Sequence, residues 1–388
     1  MFIPYGRQDI SDADIDAVVQ VLRSDYLTSG PIVPCFENAI ASYCDASYGV
    51  AANSATSAIH IACLALNLGA GDWLWTSPNT FVASANCAIY CGAKVDFVDI
   101  DPSTYNLCSR KLEQKLIQAE KDGTLPKIVI PVHFAGQPCD MPAIYALSQK
   151  YGFKIIEDAS HALGASHENT NVGSCIYSDI TVFSFHPVKI ITTGEGGVAV
   201  TNNSETADRM RRLRTHGITN DKSIFQRRPE DEIWNYQQIE LGFNYRMTDI
   251  EAALGLSQMK RVNHFIARRR EIARRYDLEL ESLPLIRPWQ QPKTNSSYHL
   301  YPVRLRASDA GKTQAQLYDH LLTSGVAANL HYIPVHRQPY YEALGFKNGD
   351  FPEAELFHKE VISLPMYPAL EAHQQDSVIE ILKSFFVS

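Results

Sequence analysis

No CxxC pair occurs in the 388 residues, and no cysteine follows Cys175. The eight cysteines repeat no spacing, so neither a structural zinc site nor a disulfide scaffold is indicated. Cys87 and Cys91, the one close pair, stand i,i+4 on an expected helix and read as small buried residues. Met1 runs into Phe2-Ile3-Pro4-Tyr5-Gly6 with no basic stretch followed by an apolar one. No secretory leader is therefore expected, and the expected location is the cytoplasm. Positive charge is also short: 35 Lys and Arg face 43 Asp and Glu, a net charge of −8. That balance disfavours a nucleic-acid partner, which needs many cations against phosphate. Charge of either sign nearly vanishes between Ala46 and Ala93, where only Asp72 is ionised. Asn53, Ser54, Asn67, Gly69, Pro78 and Asn79 break that segment into apolar pieces, each far short of the ~20 residues a membrane span needs. It belongs at the centre of a fold, and no membrane partner is expected.

What is present alternates. Strand-like runs at Tyr48–Asn53, Trp73–Ser77, Lys94–Ile100, Lys127–His133, Lys154–Asp158, Ile180–Phe185 and Gly197–Thr201 are separated by helical patterns. Several runs are apolar on consecutive residues, as in strands covered on both faces. The alternation predicts an α/β, doubly wound, mostly parallel sheet. Near residue 250 the character changes to a long helical stretch over 250–284, a Pro- and Asn-rich segment, one strand and two more helices. This predicts a large domain over 1–250 and a smaller α+β domain over 251–388, with the first dozen residues packed on the latter. The run Arg268-Arg269-Arg270 reads as a solvated helix face.

Three groups carry chemistry. Asn53-Ser54-Ala55-Thr56-Ser57-Ala58 follows a strand and opens a helix, which offers hydroxyls and free N–H groups to an anion. Asp158 ends a strand of the expected parallel sheet, on the edge where such sheets bind ligands. Lys189, among Val188, Ile190 and Ile191, lies where its charged form is disfavoured, which makes it a candidate nucleophile. An anion anchor, a carboxylate and such an amine together suit pyridoxal phosphate, whose ring nitrogen needs a carboxylate partner. His60, inside an apolar helix, reads as a satisfied core residue. His133 with Cys139 supplies too few ligands for zinc, and no metal is expected.

The chain resembles the nucleotide-sugar aminotransferases of the DegT family, on the aspartate-aminotransferase-like scaffold (fold type I), over almost its whole length. The motifs are Leu27-Thr28-Ser29-Gly30-Pro31, 53–58, 157–164, 183–197, Gly242-Phe243-Asn244-Tyr245-Arg246-Met247-Thr248-Asp249 and Ser363-Leu364-Pro365-Met366. The resemblance implies a seven-stranded, mostly parallel sheet and pyridoxal 5'-phosphate as cofactor. It implies that Lys189 carries the cofactor covalently and that Asp158 meets its ring nitrogen. Thr56, Ser57 and Ser184 would hold the phosphate, Phe81 would stack on the ring and His161 would lie against it. Asn244 would reach the phosphate from a neighbouring subunit, in a homodimer with its sites at the interface. Tyr5, Leu27, Thr28, His186, Arg246, His331 and Tyr332 are the implied substrate contacts. Within the family, the motifs are most similar to the branch serving pseudaminic acid synthesis, which implies a UDP-linked 4-keto sugar and L-glutamate as substrates. The alternatives are another 4-keto or 3-keto nucleotide sugar, or a non-catalytic regulatory protein keeping the fold. An oxidoreductase on a doubly wound sheet is disfavoured, since no GxGxxG follows the first strand.

Overall fold

A computed structural model of the chain describes residues 2–229 and 235–387. Its centre is a sheet of seven strands: β1 (Tyr48–Ala52), β2 (Trp73–Thr76), β3 (Lys94–Phe97), β4 (Ile128–Ile130), β5 (Lys154–Asp158), β6 (Ile180–Ser184) and β7 (Gly197–Thr201). Their spatial order is β1-β7-β6-β5-β4-β2-β3. The run from β6 to β3 is parallel, and β7 lies antiparallel to both its neighbours. Two reversals restore direction, so β1, β5 and β6 point their carboxyl ends to one edge. The sheet is covered on both faces, which is why Ile128, Val129 and Ile130 are all fully buried.

Helix α1 (Asp12–Leu22) and α2 (Ile32–Tyr43) precede the sheet; α3 (Ala55–Ala65), α4 (Ala83–Tyr90), α5 (Ser109–Asp122), α6 (Met141–Tyr151) and α7 (Ser204–Leu213) wind through it. The α3 sequence is apolar nearly all round and is buried from Ser57 through Cys63, as expected of a helix with no water-facing side. This helix occupies the almost chargeless segment. Cys87 on α4 is buried, but Cys91 just past its end keeps some exposure, so only one of the pair is the small core residue expected.

The helical stretch expected over 250–284 is two helices, α8 (Asp249–Met259) and α9 (Val262–Glu279). Thr248 and Glu251 form a reciprocal capping box at the start of α8. At the break, Arg261 pairs with Asp9 at 2.7 Å and Asp14 at 2.6 Å, which ties the N-terminal segment to the turn.

The arginine run on α9 is not a solvated face. Arg269 is 1% exposed and donates from one nitrogen to the carbonyl oxygens of Tyr298, His299 and Met366, at 3.3, 3.1 and 2.9 Å. Arg268 donates to Leu370 O at 2.8 Å, and Arg270 donates to Ser296 O at 2.9 Å. Carbonyls of returning loops take the place of water here, a tertiary arrangement that charge patterning cannot foresee.

A second core surrounds the antiparallel pair β8 (Tyr301–Arg304) and β9 (Val361–Leu364), packed by α10 (Gln314–Thr323), α11 (Pro352–Glu360) and α12 (Ala372–Val387). It gathers Ile272, Tyr276, Tyr301, Leu317, Ile362 and Leu382, and also Ile3 from the far end of the chain. Ile3 is held by main-chain bonds to Gly325 O (2.9 Å) and from Ala327 N–H (2.8 Å).

Candidate active site

At the carboxyl end of β1, Ser54 caps α3 by accepting from Ser57 N–H at 3.1 Å. The Ala55 and Thr56 N–H groups are left without a partner among the described residues, and the helix dipole favours an anion there. Asn53 Oδ1 is buried beside them with no partner. Gly197 keeps this end of the helix against β7: a Cβ on it would lie 2.6 Å from Ala55 N.

Asp158 ends β5, buried to 5% exposure. Its Oδ1 accepts from Ser160 N–H (3.1 Å) and Ser160 Oγ (2.6 Å), and its Oδ2 accepts from Ser84 Oγ at 2.6 Å. Ser84 lies on α4, the helix whose Cys87 Sγ reaches Thr56 O at 3.6 Å. One helix therefore ties the anion anchor to the carboxylate. Nothing in the sequence singles out Ser84, Thr80 or Ser160, because a hydroxyl among small residues leaves no pattern.

Lys189 follows β6 in the Phe185–Gly196 loop, where Gly194 takes a φ of 85° and so turns the chain as most side chains would not. The Lys189 amine makes no hydrogen bond among the described residues. Desolvation lowers its pKa to about 8 against the opposing charge of Asp158. It is thus a partly neutral amine near a carboxylate, the state a nucleophile needs.

Three imidazoles crowd this amine. Ala135 N–H donates to His161 Nδ1 (3.2 Å), which leaves Nε2–H to donate to Tyr332 Oη at 3.2 Å. His299 packs on His161 with ring centroids 4.3 Å apart, its Nδ1 buried and unpartnered. His331 bonds the Ser363 hydroxyl through Nδ1 at 2.9 Å, and the Tyr5 ring lies 5.8 Å away. Burial pushes all three below the ordinary imidazole value, reinforced by the Lys189 charge, and His331 falls to about 3. His299 was not anticipated from the sequence.

The remaining expected site residues are less enclosed. Phe81 shows 60% of its surface, with a ring face open beside Thr80. Ser57 is buried against Ser54, while Thr56 and Ser184 are half-buried. His186 is exposed and contributes its carbonyl to Lys189 N–H at 2.8 Å. Leu27, Thr28 and Asn244 are exposed on strips bridged to Thr248 and Thr215, and Arg246 is half-buried with a guanidinium unpaired among the described residues. Those four make no side-chain bond to Lys189, Asp158 or the three histidines. His60 is less satisfied than expected: Nδ1 meets Tyr245 Oη at 3.2 Å, but Nε2 has no hydrogen-bond partner among the described residues. His133 pairs with Glu157 at 2.7 Å. No metal-holding cluster occurs among the described residues, and no helix there is long and apolar enough to cross a membrane.

The residues fit pyridoxal phosphate: free N–H groups for its phosphate, an open aromatic face for its ring, a carboxylate for its ring nitrogen and an unpaired amine for its aldehyde. Residues 8–383 match the DegT/DnrJ/EryC1/StrS aminotransferase family. The spore coat polysaccharide biosynthesis protein SpsC of Bacillus subtilis is 38% identical over 98% of this chain and 96% of its own length. The UDP-4-amino-4,6-dideoxy-N-acetyl-beta-L-altrosamine transaminase of Campylobacter jejuni (serotype O:2) is 36% identical over 98% of this chain and 97% of its own. Among solved structures, Helicobacter pylori PseC, an aminotransferase involved in pseudoaminic acid biosynthesis, superposes with a TM-score of 0.89 at 30% identity over all of both chains. Streptococcus pneumoniae Spr1654, solved in PLP and PMP forms, gives 0.88 at 29% identity over 99% of this chain and, in the PLP form, 98% of its own.

Proposed function

The chain belongs to the DegT/DnrJ/EryC1/StrS aminotransferase family and uses pyridoxal 5'-phosphate; from that premise we propose its donor and acceptor. The amino group of L-glutamate goes to C4 of UDP-2-acetamido-2,6-dideoxy-β-L-arabino-hex-4-ulose. The products are UDP-4-amino-4,6-dideoxy-N-acetyl-β-L-altrosamine, a precursor of pseudaminic acid, and 2-oxoglutarate. The observation carrying the reading is the meeting of Lys189 and Asp158 beside the α3 N-terminus, within a wall of neutral histidines.

When bound, the cofactor supplies an electron sink for the pair left by a departing Cα proton. Thr56, Ser57 and Ser184 would hold its phosphate, Phe81 would cover its ring, His161 would lie against it and Asp158 would keep its ring nitrogen protonated. Lys189 Nζ, uncharged in about a tenth of molecules at pH 7, takes the proton from the donor Cα and later returns one to C4 of the sugar. Tyr5, Leu27, Thr28, His186, Arg246, His331 and Tyr332 line the substrate's approach. The Arg246 guanidinium, which pairs with no carboxylate among the described residues, suits an anionic substrate group. We place the site at a homodimer interface, with Asn244 of one protomer serving the phosphate of the other. Exposed Leu27 and Leu241, at 49 and 79%, leave apolar surface for a second copy to cover.

The test is spectroscopic. L-Glutamate should convert the lysine-linked form of the cofactor to its amine form, and the L-arabino 4-keto sugar should reverse the change, while the D-xylo epimer should not. Reversal by the D-xylo sugar alone would keep amino transfer and reject the proposed acceptor. The 38% identity to SpsC favours, as second reading, a keto sugar destined for a surface polysaccharide, and the same panel separates the two.

A further inference from the structure

We propose that Ser84, backed by Thr80, is the positioning residue that sets the plane of the Asp158 carboxylate; this rests on Asp158 serving the cofactor's ring nitrogen. The torsion that turns an aspartate carboxylate is broad and roughly two-fold, so a strand end alone does not orient it. Ser160, two residues on, holds Oδ1 as it would hold any aspartate at the start of a turn. Ser84 is different: it comes from α4, 74 positions away in sequence, and its fully buried hydroxyl takes Oδ2 at 2.6 Å. With one oxygen held from each side, the plane is determined.

The direction of the bonds is also determined. A hydroxyl has one proton, and Ser84 Oγ stands 2.6 Å from Asp158 but 3.5 Å from Phe81 O. The proton therefore goes to the carboxylate. Thr80 Oγ1, 2.9 Å from Ser84 Oγ and 2% exposed, must then be the donor to Ser84. Thr80 to Ser84 to Asp158 is a one-way chain, in which each bond polarises the next. Oδ2 keeps a second lone pair for a donor in the cleft. Because Cys87 of the same helix touches Thr56 O, α4 also sets how far the carboxylate stands from the anion anchor.

The experiment is a titration of full-length, cofactor-free protein with pyridoxal phosphate, followed by quenching of intrinsic fluorescence. Wild type is compared with Ser84→Ala, Thr80→Val, Asp158→Ala and the Ser84→Ala/Asp158→Ala pair. Ser84→Ala should raise Kd about tenfold and Thr80→Val about threefold, while Ser84→Ala added to Asp158→Ala should change Kd by less than about twofold. An unchanged Kd in Ser84→Ala, or the same rise in both backgrounds, would overturn the proposal and leave the role of Asp158 standing. If Asp158→Ala binds as tightly as wild type, the role of Asp158 fails first and the positioning role falls with it.

Discussion

The Tyr332 hydroxyl accepts the proton on His161 Nε2 at 3.2 Å, and that bond helps orient the ring beside the proposed cofactor position. The Ala135 N–H on Nδ1 forbids a proton on that nitrogen without repulsion. His161 is therefore held in one neutral tautomer, and burial opposes its second proton. Tyr332→Phe leaves the Nε2–H unsatisfied in a buried place. It should cost about 1–3 kcal/mol of stability, measured by urea unfolding of the cofactor-free protein.

Lys189 gives a pH signature. Its folded value of about 8 lies below the ~10.4 of a free lysine. In cofactor-free protein, acylation of Lys189 read by peptide mass should therefore switch on near pH 8, while exposed lysines wait for higher pH. The unfolded chain keeps its proton over this interval and the folded chain does not, so this group makes stability rise with pH from about 8 to 10. Lys189→Met should remove that rise and abolish amino transfer. A variant that still turns over would displace Lys189 from its role.

The three buried imidazoles act in the opposite pH range. Unfolded, each takes a proton near pH ~6.5; folded, each resists, His331 down to about 3. The unfolded state therefore binds more protons below that pH, and stability should fall as pH drops from about 7 to 4. His331→Gln should flatten the slope of the urea midpoint against pH by one proton's share. A variant with the wild-type slope would show that His331 titrates in the fold.

Arg269 should be costly to remove. Its guanidinium is buried among three carbonyl oxygens, and truncation would leave both a cavity and unsatisfied acceptors. Arg269→Ala should lose about 3–5 kcal/mol, read as a lowered thermal midpoint. Arg274→Ala, on the same helix with no such bonds among the described residues, should change little.

Gly197→Ala tests the anion anchor. The added Cβ would fall within 2.6 Å of the Ala55 main chain, which cannot swing aside as a side chain can. The start of α3 should shift, and cofactor affinity should fall about tenfold or more, with far-ultraviolet dichroism unchanged.

Much of this was legible in sequence. The positions of the seven strands follow from continuous apolar runs such as Ile128-Val129-Ile130, because burial on both faces erases alternation. The strands' spatial order and the reversed β7 leave no such trace, since direction depends on what the connections pack against. Resemblance placed Lys189, Asp158 and the α3 anchor in one cleft, and the structure brings them to one sheet edge. Ser84, Thr80 and His299 went unread because their importance lies in contacts across elements. Arg268 to Arg270 escape charge patterning for a related reason: a cation can face inward when loop carbonyls meet it, and those carbonyls have no side-chain signature.

Ile3 sits in a core otherwise built from residues beyond position 270, fastened between Gly325 and Ala327. During synthesis it leaves the ribosome well before these partners. The parallel sheet can assemble as its strands emerge, yet this seam must wait until the residues beyond 270 have followed, with the Phe2–Tyr5 segment unhoused meanwhile. The protein thus closes by joining residues far apart in the order of synthesis, and a chain stopped before Val326 would have no place for Ile3.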